Sequence, residues 1–235
     1  MPRLPQIRAV FLDLDDTLCD TATAKRRRLA KAFAGGDVPL ADWPTDLPVQ
    51  SMVDDAISRN EIAAEHFPKV FARHGYDNQA FADHAASWAL ANRYHGLEYF
   101  DDALPTIQAL RVLCEPALTI GVITNGPGEI QRPKVELLAV ESLVDFTIVS
   151  GEFGTWKPDP LIFEEALRLA AVAPNEAIMV GDSLNHDIAG ANAAGISSVW
   201  VNLSGAVAPS DGPQPDHVIR SIGELPEIVA PRCRR

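Results

Sequence analysis

Cysteine is scarce: Cys19, Cys114 and Cys233 are the only three in 235 residues, far apart and without paired-ligand spacing. An odd count at such spacing argues against a disulfide scaffold or a zinc ribbon and fits a reducing cytoplasm. Long apolar runs are missing too, and none approaches the ~18 residues of a membrane span. The first apolar run, behind a Met-Pro-Arg-Leu-Pro start, is cut by Asp13, Asp15 and Asp16, which is not the pattern of a secretory leader. Positive charge is in deficit as well. With 20 basic against 32 acidic side chains the net charge is −12, which works against non-specific binding to nucleic acid or anionic membrane. Apolar side chains are plentiful at 47%, enough for a sizeable core and against disorder as the main theme. At roughly 100–200 residues per domain, the length allows one large domain or two smaller ones.

The charge is uneven. Residues 21–100 carry 9 basic and 10 acidic side chains, and the remainder 11 and 22, so nearly all the excess acid lies outside that window. The hydrophobic pattern changes at the same limits. Ile7–Leu14 reads as a buried strand. Helical periodicity follows over Thr23–Phe33, Val53–Arg73 and Gln79–Tyr94, with a Gly/Pro-rich loop at Gly35–Pro48 and with Gly75 and Gly96 as stops. From Phe100 strands and helices alternate: helix Asp102–Leu113, strand Leu118–Ile123, helix Glu129–Leu138, strand Phe146–Val149 and helix Pro160–Ala171. Strand Ala177–Val180, helix His186–Ala194, strand Ser198–Val201, a short strand at Val218–Ile219 and a C-terminal helix complete the series. That alternation implies a parallel sheet wrapped by helices, with the helical block inserted after the first strand. Residues 1–19 and 100–235 are then the core, and 20–99 the insertion.

In such a sheet ligands bind at the carboxyl ends of the strands, so the polar residues there matter most. The first strand ends in Asp13-Leu14-Asp15-Asp16-Thr17. Asp13 and Asp15 fall on one face of an extended chain, a costly pairing unless a cation or a proton lies between them. Read alone, it is also an ordinary Asx-capped turn. The second strand ends in Thr124-Asn125-Gly126, a hydroxyl followed by backbone amides able to face an anion, or simply a cap. After the third strand comes Lys157-Pro158-Asp159-Pro160, where the proline restricts the lysine backbone; alone, this is a solvated lysine. The fourth ends in Gly181-Asp182-Ser183, with Asp187 on the next turn. Carboxylates at that density suit Mg²⁺, which takes one or two of them plus substrate phosphate.

The order DLDDT, ITNG, KPDP, GDSLNHD resembles the four motifs of the haloacid dehalogenase-like hydrolases over about residues 7–19 and 100–230. The resemblance implies an α/β fold, a Rossmann-like parallel sheet core with an inserted all-helical cap that selects substrate. It implies an Mg²⁺-dependent phosphatase of a small phosphorylated metabolite, a nucleotide or sugar phosphate among the candidates. Position by position, Asp13 would be the nucleophile and Asp15 the general acid and then base. Thr124 and the amides near Asn125 would hold the phosphoryl oxygens, and Lys157 would neutralise charge. Asp182 would bind the metal with Asp13 and the carbonyl oxygen of Asp15, with Asp187 orienting Lys157 or acting through water. Asp16 stands where the family more often has Gly, and His186 where relatives often have Asn or Asp; His186 reads as a helix-start residue. The stretch DLDDTLCDTATAKRRR is similar to the nucleotidase and acylneuraminate-9-phosphatase branches.

Dehalogenation is disfavoured because the dehalogenases of the family lack the second aspartate, present here as Asp15. A phosphomutase would share every motif, and a non-catalytic phospholigand-binding module would have lost the nucleophile or the lysine. Within the cap, Lys25, Arg26, Arg27, Arg28 and Lys31 read as a solvated helix face, or as supplying an arginine to an anionic part of a substrate. Trp43, Trp88, Arg93, Tyr94 and His95 read as core or as a pocket lining. Cys19 is expected to pack in the hinge. The chain is expected to be cytoplasmic, a monomer or homodimer, and free of nucleic-acid or membrane partners.

Overall fold

The computed structural model describes residues 6–233. The Met-Pro-Arg-Leu-Pro start that weighed against a leader lies outside them. The chain divides into two compact units, Thr21–Leu97 and the remainder on either side of it.

The larger unit is built on six parallel strands: β1 (Ala9–Leu12), β2 (Thr119–Thr124), β3 (Phe146–Val149), β4 (Ala177–Gly181), β5 (Ser197–Val201) and β6 (His217–Ile219). Their order is β3-β2-β1-β4-β5-β6. All four residues of β1 and all five of β4 are buried, the continuous burial of parallel strands covered on both faces. The helices that cover them are α5 (Ala103–Leu113), α6 (Gly128–Leu137), the short α7 (Ser150–Phe153), α8 (Pro160–Ala170), α9 (Ala189–Ala193) and α10 (Leu225–Val229), numbered after four in the other unit. Phe11, Ile123, Ile162, Phe163 and Met179 are among the residues of one core cluster on this sheet. β1 pairs with β2 on one side and β4 on the other, so strand order reverses beside it and opens a crevice at its carboxyl end. The architecture is the expected Rossmann-like α/β core.

The smaller unit contains α1 (Thr21–Phe33), α2 (Val49–Ser58), α3 (Phe67–Arg73) and α4 (Gln79–Ala91). The helix expected over Val53–Arg73 is two helices. Asn60 takes a left-handed conformation (φ 55°) after α2, and Pro68 sits in the first turn of α3, where its missing N–H costs nothing. Trp43 belongs to this unit's core, 5.2 Å from Phe81 and 5.9 Å from Phe71 between ring centroids. Trp88 donates 2.9 Å to Asp37 Oδ2.

The cysteine expectation needs correction. Cys114 and Cys233 are joined in a disulfide, with their Cα atoms 5.0 Å apart and 119 residues between them in sequence. The fold returns the chain end to the end of α5, a proximity that sequence spacing does not reveal. Cys19 is free and buried, donating 3.3 Å to the Leu14 carbonyl, and so packs as expected.

Candidate active site

The carboxyl ends of β1, β2 and β4 converge on a cleft of about 250 Å³ lined by Asp13, Asp15, Asp16, Thr124, Asn125, Lys157, Asp182, Ser183, His186 and Asp187. Every residue singled out in the sequence for this chemistry is in that list.

Lys157 is at its centre and its side chain is 2% exposed. Its ammonium donates to Asp13 Oδ1 (2.5 Å), Asp187 Oδ1 (2.6 Å) and the Ile123 carbonyl (2.7 Å), filling all three donor positions. Burial alone would pull the lysine pKa down, but Asp13 and Asp187 outweigh it and push it up. The segment holding Lys157 is fixed by Asn125, whose Nδ2 donates to the Lys157 carbonyl and whose Oδ1 accepts from the Lys157 amide, both at 2.9 Å. The Asn125 side chain therefore clamps the lysine backbone. The Gly126 amide donates to Ser150 Oγ at 2.9 Å.

Asp13 follows β1 directly, its amide donating 2.9 Å to the Val180 carbonyl. Burial raises its pKa well above the ordinary carboxylate range; Lys157 opposes this, while Asp187 and Asp182 add to it. Asp182 is pushed up to about 7 by burial and then by Asp187 and Asp16. One oxygen each of Asp13, Asp182 and Asp187 lies within 4.8 Å of the others. This set of hard oxygen donors fits a divalent cation of the magnesium kind. Both oxygens of Asp187 are already engaged, Oδ1 by Lys157 and Oδ2 by the Ser183 amide at 3.0 Å. Asp187 packs directly on Gly181, where any Cβ would collide with its carboxyl group.

The Asp15 carboxylate is not part of that cluster. It is bound by two residues of α6 that the sequence reading passed over. Lys134 Nζ lies 2.8 and 2.6 Å from its two oxygens, and Gln131 Nε2 donates to Oδ2 at 3.0 Å. Gln131 also donates to Thr124 Oγ1 (2.5 Å) and to the Asn125 carbonyl (3.1 Å), tying the ends of β1 and β2 together. The available signal was the i, i+3 spacing of two polar residues that reach the sheet side of α6. Asp16 has φ 56°, a left-handed conformation that Asp tolerates and Gly adopts freely. His186 is exposed on the π-helical turn Leu184–Ile188 that leads into α9, its amide donating 3.3 Å to Ser183 Oγ, and thus sits at a helix start.

Strand order and strand-end chemistry define a Rossmann-like α/β enzyme equipped to handle an anionic ester. Residues 7–195 match the haloacid dehalogenase-like hydrolases. The chain is 29% identical to the N-acylneuraminate-9-phosphatase of Rattus norvegicus, over 96% of this chain and 95% of that protein. It is 32% identical to the glyceraldehyde 3-phosphate phosphatase of Methanopyrus kandleri, over 95% and 97%. The 2-haloacid dehalogenase structure from Pseudomonas syringae pv. Tomato superimposes with a TM-score of 0.61 at 30% identity, covering 95% of this chain and 98% of that one. The chain belongs to the haloacid dehalogenase-like hydrolase family.

Proposed function

We propose that the enzyme is a magnesium-dependent phosphatase of small phosphate monoesters, working through an aspartyl-phosphate on Asp13. The observation that carries this reading is the buried Lys157 ammonium bridging Asp13 and Asp187 at the floor of the cleft. A carboxylate there can meet a phosphate dianion only where fixed positive charge offsets the repulsion.

Asp13 and Asp182, with the Asp15 carbonyl oxygen, would hold the magnesium. When bound, the ion supplies positive charge to the phosphoryl oxygens. Asp187, with both oxygens engaged, orients Lys157. In the first half-reaction an Asp13 carboxylate oxygen bonds to phosphorus while the bond to the leaving oxygen breaks, and Asp15 gives that oxygen its proton. Asp15 then takes a proton from water, whose oxygen attacks the phosphorus, releasing inorganic phosphate and regenerating Asp13. Thr124 and the backbone at Asn125 hold the phosphoryl oxygens. Lys134 and Gln131 position the Asp15 carboxylate. The work is positioning and charge neutralisation, as phosphoryl transfer requires.

Residues 20–99 act as the substrate-selecting cap domain, and residues 1–19 and 100–235 as the catalytic core. The two phosphatase relatives support a small phosphorylated metabolite as substrate, of sugar-acid or triose type. A cytoplasmic monomer or homodimer remains our reading of the setting. The Cys114–Cys233 pairing takes away the cysteine argument for a reducing compartment. The likeness to a 2-haloacid dehalogenase favours a second reading, in which Asp13 displaces halide from carbon. Such a reaction has no use for a proton donor, and Asp15 with its two α6 partners speaks against it.

The test is phosphate release from a panel of nucleotide, sugar and triose monoesters, with Mg²⁺ and with chelator. Metal-dependent release that Asp13→Asn abolishes is expected. Release that survives in Asp13→Asn, or chloride release from a 2-haloacid without Mg²⁺, overturns the reading.

A further inference from the structure

Gln131 stands behind the cleft rather than in it. It is buried on α6, at 1% exposure, and is not among the residues that line the cleft. Its amide nitrogen nevertheless meets three oxygens of the site: Asp15 Oδ2 at 3.0 Å, Thr124 Oγ1 at 2.5 Å and the Asn125 carbonyl at 3.1 Å. Its own amide oxygen is buried and has no partner among the described residues. Two of the three oxygens, the Lys134-paired carboxylate and the main-chain carbonyl, can only accept, so the group facing them must be the NH₂. Turning the amide over would set its oxygen against both. The orphaned Oε1 is the cost of that orientation. The turn after β2 accommodates it: Gly126 has no side chain, and a Cβ there would stand 2.7 Å from Gln131 Cγ.

An amide nitrogen has no lone pair to accept with, so the Thr124 hydroxyl can receive a hydrogen bond from Gln131 but cannot return one. Its proton must point elsewhere. Thr124 lines the cleft, and its hydroxyl donates to no acceptor among the described residues. We propose that Gln131 is a positioning residue for phosphate: it keeps the Thr124 proton turned away from α6 and free for a phosphoryl oxygen, while the same amide holds Asp15 Oδ2. The inference rests on the phosphatase reading and deepens it, because one buried amide then joins the proton-handling residue to the phosphate-holding one. Without that donor the hydroxyl is free to rotate, and part of the binding energy of phosphate goes into fixing it.

The experiment is calorimetric titration of the full-length, magnesium-loaded enzyme with inorganic phosphate, in the parent, Gln131→Met, Thr124→Val and the double variant. Methionine keeps the length of the side chain and removes its donor. Gln131→Met should bind phosphate about fivefold more weakly, and Thr124→Val, which loses a hydrogen bond to a charged group, about tenfold or more. In the Thr124→Val background no hydroxyl is left to orient, so Gln131→Met should change the affinity by less than about twofold. With Thr124→Ser, which keeps a hydroxyl, the fivefold response to Gln131→Met should return. Gln131→Leu, also without a donor, takes the place of Gln131→Met should that variant not fold. A loss of equal size in the Thr124 and Thr124→Val backgrounds is a merely structural effect and overturns the proposal, as does an unchanged affinity in Gln131→Met. A parent that neither binds phosphate nor releases it from any ester overturns the phosphatase reading and this proposal together.

Discussion

Replacing Lys157 with methionine keeps the length of the side chain and removes its charge and all three hydrogen bonds. The lost contacts are those to Asp13, Asp187 and the Ile123 carbonyl, at 2.5–2.7 Å around a side chain that is 2% exposed. Removing one partner of a buried ionic group costs about 3–5 kcal/mol, because the remaining charges are left buried and uncompensated. At roughly 2–4 °C per kcal/mol for a chain of this size, Tm should fall by about 6–20 °C. Adding Asp187→Asn removes one of the two orphaned carboxylates, so the double variant should recover part of that loss. That recovery is the signature of direct coupling between the two residues. Phosphate release should fall by about two to three orders of magnitude in Lys157→Met, as for loss of a fixed charge stabiliser. Melting in chelator keeps metal binding out of the comparison. A Tm within about 2 °C of the parent, or a double variant that loses the sum of the two single losses, would refute the reasoning.

Further predictions follow from other contacts. Lys134→Met should lower kcat for phosphate release while leaving KM within about twofold, because the residue orients Asp15 and touches no substrate; an unchanged kcat removes Lys134 from the mechanism. Gly181→Ala forces a Cβ into the Asp187 carboxyl and should cost about 1–3 kcal/mol with a loss of activity, read by denaturant titration and assay together. Tyr99 donates to the Leu138 carbonyl, and its phenol is raised from 10.0 to about 12, chiefly by burial. Its folded pKa lies above the unfolded one, so the stability it contributes is present below pH 10 and drains away as pH rises toward 12. Tyr99→Phe should flatten the alkaline limb of the stability curve; a limb unchanged in slope contradicts the assignment.

Much of the fold was legible because β1, β4 and β5 are short apolar runs and helices alternate with them from Ala103 onward. The strand-end residues were legible for the same reason: a residue at the carboxyl end of a strand beside the reversal in strand order must face the crevice. What escaped the sequence depends on contacts distant along the chain. Lys134 and Gln131 reach Asp15 across 119 and 116 residues, so nothing local distinguishes them from other polar residues of α6. The Cys114–Cys233 pairing has the same character. The break after α2 was a local miss: Asn60 is one of the few residue types at ease in a left-handed turn, and helical periodicity masked it.

The covalent step on Asp13 is the centre of the account, and trapping it is the most direct test. The Asp15→Asn enzyme, whose dephosphorylation should be slowed, is mixed with Mg²⁺ and the best ester of the panel, quenched in acid, and its peptides are weighed. The account predicts one added phosphoryl group on the peptide carrying Asp13, absent in the enzyme that also carries Asp13→Asn. A phosphoryl group on another residue, or phosphate release with no labelled peptide at any quench time, would contradict it.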